Sequence, residues 1–248
     1  PARNASNAMF SLSDGIKSVI GGLIGFKGIS GVFGWVKEAV ELGGGLTEIN
    51  HIVESVFGNM AGQVEEWSHQ AITSFGISEE AAKHYAGVLS SMFQASNIGY
   101  ETAGQMAMNL TELAGDLSAF YNIDTETAYN KIRSGMAGMV RPLRDLGLDL
   151  TAATLQEYAL SQGITKSYQS MTQAEKVMLR YSYLMNATKT QQGDFARTNE
   201  SLANSMRTLK AYATAVQTQI GVGFAAAIRP AIVALNKLMA TVLKAATA

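Results

Sequence analysis

The residue types that most often carry out acid–base or metal chemistry are scattered along this sequence. Its three histidines, His51, His69 and His84, fall on three different predicted helices, without the spacing of a metal-ligand motif. The sequence contains no cysteine, which excludes disulfides and cysteine-ligated zinc or iron–sulfur sites. We therefore interpret the histidines as ordinary surface or half-buried side chains and predict no metal site.

The acidic residues do not form a pair suited to general acid–base catalysis. Glu65 and Glu66 are adjacent, as are Glu79 and Glu80, so the two members of each pair point to different faces of a helix. The sequence contains neither a serine nucleophile elbow nor a glycine-rich phosphate loop ending in Lys-Ser or Lys-Thr. We predict that the chain is not an enzyme and has no cofactor.

One tight basic cluster lies outside the predicted helices, where Arg141 and Arg144 flank Pro142. Arginine side chains close to a helix end can hydrogen-bond the free carbonyl groups there, and a phosphate contact is the second alternative. We expect the contact with carbonyl groups.

The composition indicates a globular protein with a small charged fraction. Hydrophobic residues make up 47% of the chain and charged residues 16%, and the net charge is −1. Because the sequence offers no strongly basic face, we expect no sequence-specific nucleic-acid binding. A low-charge surface rich in Ala, Gln and Met suits packing against other copies of the chain.

The elements that must position these residues are all predicted to be helices. Apolar residues recur at helical spacing, for example in one amphipathic helix from Val64 to Phe75, and no segment shows the alternation of a strand. The predicted fold class is all-α, a compact multi-helix bundle flanked by extended helical arms. Capping residues mark four helix starts: Ser78, Asp124, Thr151 and Thr172, the last paired with Glu175 in a capping box.

Three regions follow from the breaks in this pattern. Residues 1–45 form an apolar, glycine-rich N-terminal arm or connector, and residues 46–198 form the compact helical bundle. Residues 199–248 form a long C-terminal helix, in which we expect a kink or break near Pro230 because proline cannot donate a helical hydrogen bond.

The N-terminal arm contains the most apolar window of the chain, residues 16–36. A resident transmembrane helix is disfavoured, because a lysine near the centre of a span, here Lys27, costs roughly 2.5–3.5 kcal/mol. The segment is either a closely packed connector or a part that meets a membrane at some stage. The residues on which both interpretations rest are Gly25, Gly28, Gly31 and Gly34, at every third position, and Trp35.

The C-terminal helix carries an apolar stripe whose members step by four and three residues in turn. This spacing favours self-association through a coiled coil, although the stripe covers under three heptads. The candidate self-association residues are Leu202, Met206, Leu209, Val216 and Ile220.

Five runs of this sequence resemble the central region of tail tape measure proteins of tailed bacteriophages and prophages. The patches GDLSAFYN (115–122) and GDFART (193–198) carry most of the specificity, and the resemblance covers roughly residues 30–245. The five runs, in the order in which the family has them, are EEWSHQAITSFGISEEAAKHYAG (65–87), LTELAGDLSAFYNIDTETAYNKIRSGMAG (110–138), PLRDLGLDLTAATLQEYALSQGI (142–164), MTQAEKVMLRYSYLM (171–185) and GDFARTNESLANSMR (193–207).

One turn departs from that family. Where its members usually have an acidic turn of the Gly-Glu-Thr-Glu type before Pro-Leu, this chain has Gly138, Met139, Val140 and Arg141. A contact that depends on the charge of that turn is therefore not expected here.

The resemblance implies a mechanical role. Tape measure proteins are long, mostly helical chains that lie in several copies inside the tail tube, set tail length during assembly, and leave the tube ahead of the genome at infection. The implied partners are further copies of the chain, tail tube and tail tip proteins, tail assembly chaperones and, transiently, a host membrane. The implied locations are the tail lumen of the virion and, during assembly, the host cytoplasm.

Two alternatives to a purely structural role differ in what they require. A membrane-active segment that helps to form a channel for DNA delivery would use residues 16–36 and the apolar C-terminal helix. A cell-wall hydrolase would need a catalytic glutamate in a cleft with aromatic side chains, and the sequence alone indicates no such grouping.

Overall fold

The computed structural model of the protein describes residue 45 and residues 48–246, with side chains up to residue 223 and at residues 226 and 233. This part of the chain is all-α, as predicted, and contains no strand. Its helices are α1 (residues 48–57), α2 (Ala61–His69), α3 (Ala71–Phe75), α4 (Glu79–Ala95), α5 (Tyr100–Tyr121), α6 (Thr125–Met136), α7 (Arg141–Arg144), α8 (Ala152–Ser161), α9 (Gln173–Ala187), α10 (Asp194–Arg197) and α11 (Leu202–Ala246), with 3-10 turns at Gly58–Met60 and Tyr168–Ser170.

Helix α5 forms the centre of the compact unit, which runs from Thr47 to Ala215. Leu110, Leu113 and Leu117 of α5 are buried, and α4 and α6 make the most extensive contacts with this helix. The apolar stripe of α5 therefore faces the core, as the helical spacing of these leucines requires.

Close packing around α5 depends on Gly115. A Cβ atom at this position would lie 2.4 Å from the backbone oxygen of Phe75, at the end of α3. The backbone of Phe75 cannot move aside as a flexible side chain could, so a larger residue at position 115 would clash with it. Only glycine lets α3 approach α5 this closely.

All four predicted N-caps are confirmed. In each case a side-chain oxygen of the capping residue accepts a hydrogen bond from an amide of the first turn, at 3.0–3.4 Å. The predicted capping box is also present, because the Glu175 carboxylate accepts from the Thr172 amide at 2.6 Å. Each such cap is worth about 1 kcal/mol, so the helix starts are fixed by local sequence.

Two arginines, each distant in sequence, hydrogen-bond the free carbonyl groups at the C-terminal ends of two helices. The Arg180 guanidinium on α9 donates to the Met136 carbonyl of α6 at 3.0 Å, and Arg207 on α11 donates to the Ser118 carbonyl of α5 at 3.0 Å. For the cluster of Arg141 and Arg144, we predicted a contact with carbonyl groups at a helix end. The Arg144 guanidinium instead pairs with the Asp149 carboxylate at 3.3 Å.

The first turns of α11 belong to the compact unit, although the sequence assigned residues beyond 198 to the C-terminal arm. Asn204 and Ala211 are buried there, and Arg207 reaches the end of α5. The bundle thus holds the start of α11 through a mainly polar face, which hydrophobic periodicity does not detect.

Helix α11 runs without interruption from Leu202 to Ala246. The prediction of a break near Pro230 is therefore wrong. A single proline removes one hydrogen bond from the helix, at a cost of about 3 kcal/mol. The alanine-rich sequence around Pro230 favours helix on both sides, so the helix continues past that position.

The helix predicted from Val64 to Phe75 is divided in two. The structure places Gln70 between α2 and α3, where its amide bonds the Trp67 carbonyl at 3.2 Å. Gly76, with φ of +68°, then ends α3 directly after Phe75. The apolar spacing continues through the turn, so periodicity alone does not locate it.

Candidate functional site

A groove of about 490 Å³ lies between the α2–α3 segment, helix α5 and the chain that follows α9. Its lining combines aromatic rings, carboxamides and two carboxylates, and among the residues that the structure describes no histidine, lysine or arginine lines it. The lining residues that determine its chemistry are Trp67, Phe75, Gln70, Asn109, Glu112 and Asp116.

Glu112 is held at the groove by Trp67. The indole Nε1 donates to Glu112 Oε1 at 2.7 Å, and the Trp67 ring stacks on Phe75 with centroids 5.6 Å apart. Burial raises the pKa of Glu112, the indole hydrogen bond opposes that rise, and the neighbouring Asp116 charge adds to it. The groove therefore contains a positioned carboxylate that is costly to ionise.

Asp116, at the rim of the same groove, binds the backbone of the segment that follows α9. Its side chain is 8% exposed, and its two oxygens accept from the amides of Gly193 at 2.7 Å and Phe195 at 3.1 Å. Burial raises the pKa of Asp116, and these two amides partly oppose the rise because they stabilise the carboxylate. Both oxygens of Asp116 are thus occupied.

The two most specific sequence patches meet at this point. Gly115 and Asp116 belong to GDLSAFYN, and Gly193 and Phe195 belong to GDFART. Phe195 is buried, and a Cβ atom at Gly76 would lie 2.4 Å from its ring. The patches therefore build one packing junction between α3, α5 and α10, which their separation in sequence does not indicate.

A second cluster joins α2 to α4 around Lys83, which is 1% exposed. Its ammonium group lies 2.7 Å from Glu65 Oε2 and 2.7 Å from Glu79 Oε1. His69 Nδ1 lies 3.0 Å from the other oxygen of Glu79. The structure thus brings together members of the two acidic pairs that the sequence placed on separate helices.

Glu65, His69 and Glu79 also offer donor atoms that lie within 4.8 Å of one another, close enough to hold a cation. The Lys83 ammonium already pairs with both carboxylates, which favours an internal ion network over a metal site. Burial raises the pKa of Glu79, but hydrogen bonds and attraction from Lys83 and His69 outweigh this and leave the pKa below its ordinary value.

The structure exposes most of the predicted self-association stripe. Leu202 is 81% exposed, Met206 57%, Leu209 60% and Val216 57%, whereas Ile220 is half-buried. These residues lie on α11.

The predicted N-terminal segment with Gly25, Gly28, Gly31, Gly34 and Trp35 lies outside the described residues. Among the helices that the structure describes, none is both long and apolar enough to cross a membrane.

His51 and His84 are exposed, in agreement with their interpretation as surface side chains. His69 is also exposed, but its contacts with Glu65 and Glu79 were not predicted. The sequence signals for that cluster were the i,i+4 spacings of Glu65 with His69 on α2 and of Glu79 with Lys83 on α4.

Searches of protein-family models, curated proteins and solved structures found no match to this chain.

Proposed function

We propose that the chain is the helical module of a tail tape measure protein of a tailed bacteriophage or prophage, with a structural and non-enzymatic role. Several copies would lie in the tail tube, set its length during assembly and leave ahead of the genome. The junction between the GDLSAFYN and GDFART patches supports this proposal, because the residues that carry the resemblance are those that hold α3, α5 and α10 together.

The observation that carries the proposal is the exposed apolar stripe on α11. A helix of 45 residues extends roughly 68 Å at about 1.5 Å per residue. Leu202, Met206 and Leu209 are exposed on it at coiled-coil spacing. A long helix with such a stripe suits lateral association between copies, which a multi-copy filler of a narrow tube requires.

Partners and location follow from the same role. Besides further copies of the chain, the proposed partners are tail tube proteins, tail tip proteins and tail assembly chaperones. The protein would pass from the host cytoplasm during assembly to the tail lumen of the virion. The small charged fraction, 16%, supports a surface that packs mainly against protein.

Tail length tests the proposal directly. Two variants are made in the phage or prophage that encodes the chain. One has two heptads (14 residues) deleted within α11, and the other, the matched control, has two heptads inserted at the same position. We expect the deletion to shorten assembled tails by about 21 Å and the insertion to lengthen them by about 21 Å, at about 1.5 Å per helical residue. Averaged electron micrographs measure both changes. Tails of unchanged length in both variants would contradict the proposal.

A further inference from the structure

The groove beside Trp67 has features of a binding site that the proposed structural role does not use. We call it the Trp67 groove and define it by Trp67, Phe75, Gln70, Asn109, Glu112 and Met185. Its volume of about 490 Å³ lies within the range of roughly 300–1,000 Å³ that is typical of ligand sites. Its chemistry can therefore be compared with that of possible ligands.

The charge of the groove is negative and is not balanced within it. Glu112 Oε1 accepts from the Trp67 indole, and among the described residues nothing hydrogen-bonds to Glu112 Oε2. Arg197, the cation that acts on Asp116, donates its own hydrogen bonds to the Gln192 and Thr190 carbonyls and to Asp194. A ligand with a cationic nitrogen would complete the hydrogen bonding of Glu112.

The aromatic wall favours the same kind of ligand. Trp67 stacks on Phe75 at an interplanar angle of 26°, which fixes the indole at the groove. An indole is the best of the aromatic partners for a cation, and a guanidinium also stacks on it through its planar face. Phe75 and Met185 supply apolar surface for the aliphatic stem that precedes such a head group.

The carboxamides suggest that the cation belongs to a peptide. Gln70 lines the groove with a side-chain amide that offers both a donor and an acceptor and has no hydrogen bond among the described residues, whereas the amides of Asn109 and Gln192 already bond within the chain. This combination matches the N–H and C=O groups of a polypeptide backbone, whereas an inorganic cation would use only the oxygens.

We propose that the Trp67 groove binds an arginine or lysine side chain presented by a second protein molecule, with the cationic head group at Glu112 Oε2 and over the Trp67 ring. Arginine binds more tightly than lysine, because its planar guanidinium both pairs with the carboxylate and stacks on the indole. This inference does not depend on the tape measure role, since it concerns the chemistry of the groove alone.

The fluorescence of Trp67 provides the test. The chain has two tryptophans, so the variant Trp35→Phe makes Trp67 the single reporter. This protein is titrated with the peptide N-acetyl-Gly-Arg-Gly-amide at concentrations on the order of 1–10 mM. The control peptide has citrulline in place of arginine, which keeps the shape and removes the charge. We expect a saturable change with the arginine peptide and about tenfold weaker binding of the citrulline peptide, the effect of one charge-assisted hydrogen bond.

The variant Glu112→Gln, in the same background, locates the site. Glutamine keeps an acceptor for the Trp67 indole, so the groove retains its shape while losing its charge, and unchanged circular dichroism verifies the fold. We expect this variant to bind the arginine peptide about tenfold more weakly. The matched control is Glu101→Gln, which removes an exposed charge from the same helix and leaves binding unchanged.

Two results would overturn the inference. One is equal affinity for the arginine and citrulline peptides, and the other is full affinity of the Glu112→Gln variant. A Trp67 signal that depends on protein concentration without peptide, and that Glu112→Gln abolishes, would support the inference and identify a second copy of the chain as the source of the basic side chain.

Discussion

At the residue scale, a single carboxylate links two segments that are distant in sequence. Asp116 accepts from the amides of Gly193 and Phe195, which lie 77 and 79 residues further along the chain. Because α10 is only four residues long, it has little stability of its own and depends on this external cap.

Replacing Asp116 tests that dependence. We expect Asp116→Ala to lower the free energy of unfolding by about 2–6 kcal/mol, because two amides lose their acceptor at roughly 1–3 kcal/mol each. Asp116→Asn, which keeps one acceptor oxygen, should lose about half as much. Urea denaturation measures both variants, with Glu101→Ala on the exposed side of α5 as the control. A loss no larger than that of the control would contradict the capping role.

The raised pKa of Glu112 predicts a pH dependence of stability. The pKa of Glu112 is higher in the folded than in the unfolded protein. Such a carboxyl group contributes stability at pH values below its pKa in the unfolded chain, about 4.3. This contribution is lost as the pH rises through its pKa in the folded protein. Glu112→Gln fixes the side chain in a neutral form. We expect the variant to have a higher thermal midpoint than the parent at pH 7, with the difference shrinking as the pH falls towards 4. Calorimetry across this range measures it, and a variant less stable than the parent at pH 7 would exclude the effect.

At the element scale, helix boundaries and helix contacts differ in how far the sequence predicts them. The caps at Ser78, Asp124 and Thr151 were predictable because each cap joins residues at most three positions apart. The junction of Asp116 with Gly193 was not, because no local pattern indicates which distant amides a carboxylate will meet. The Trp67 groove was missed for the same reason, since α2 and α5 supply its two central residues.

The link between α2 and α4 through Lys83 is a contact of this unpredicted kind. We expect Lys83→Met to lower the free energy of unfolding by about 2 kcal/mol, less than the 3–5 kcal/mol of a fully buried pair, because Glu65 and Glu79 reach water. Adding Glu79→Gln should restore part of the loss by removing the repulsion between the two carboxylates. Chemical denaturation of the single and double variants measures this coupling, and strictly additive losses would contradict it.

Four of the five residues predicted for self-association on α11 are exposed, and these side chains define a further test of that prediction. We expect Met206→Glu combined with Leu209→Glu to convert an associated chain into a monomer, because four buried charges cannot be accommodated along a paired seam. Light scattering with small-angle scattering on the 248-residue chain gives mass and shape together. Ala203→Glu, on an exposed position beside the stripe, is the control and should leave the mass unchanged. A parent chain that is itself a monomer at high concentration would contradict self-association.

At the scale of the whole molecule, the sequence predicted the all-α class but not the extent of the compact unit. Hydrophobic periodicity identifies the apolar face of a helix, which is usually the face packed against the core. On α11 the apolar face is the exposed stripe and does not face the bundle. The face that holds α11 to the bundle includes Asn204 and Arg207, whose polar side chains bond to the Thr198 and Ser118 carbonyls. A polar attachment of this kind leaves no periodic signal, so the bundle was predicted to end too early.

The polar attachment of α11 has a kinetic consequence. At 100° per residue, Asn204, Arg207 and Ala211 lie on one side of the helix, and Leu202, Met206 and Leu209 lie on the opposite side. The stripe that we propose for self-association is therefore fully formed while the bundle stays closed. On that proposal, pairing of two copies would be limited by the encounter and orientation of preformed surfaces, and neither copy would have to unfold before the other arrives.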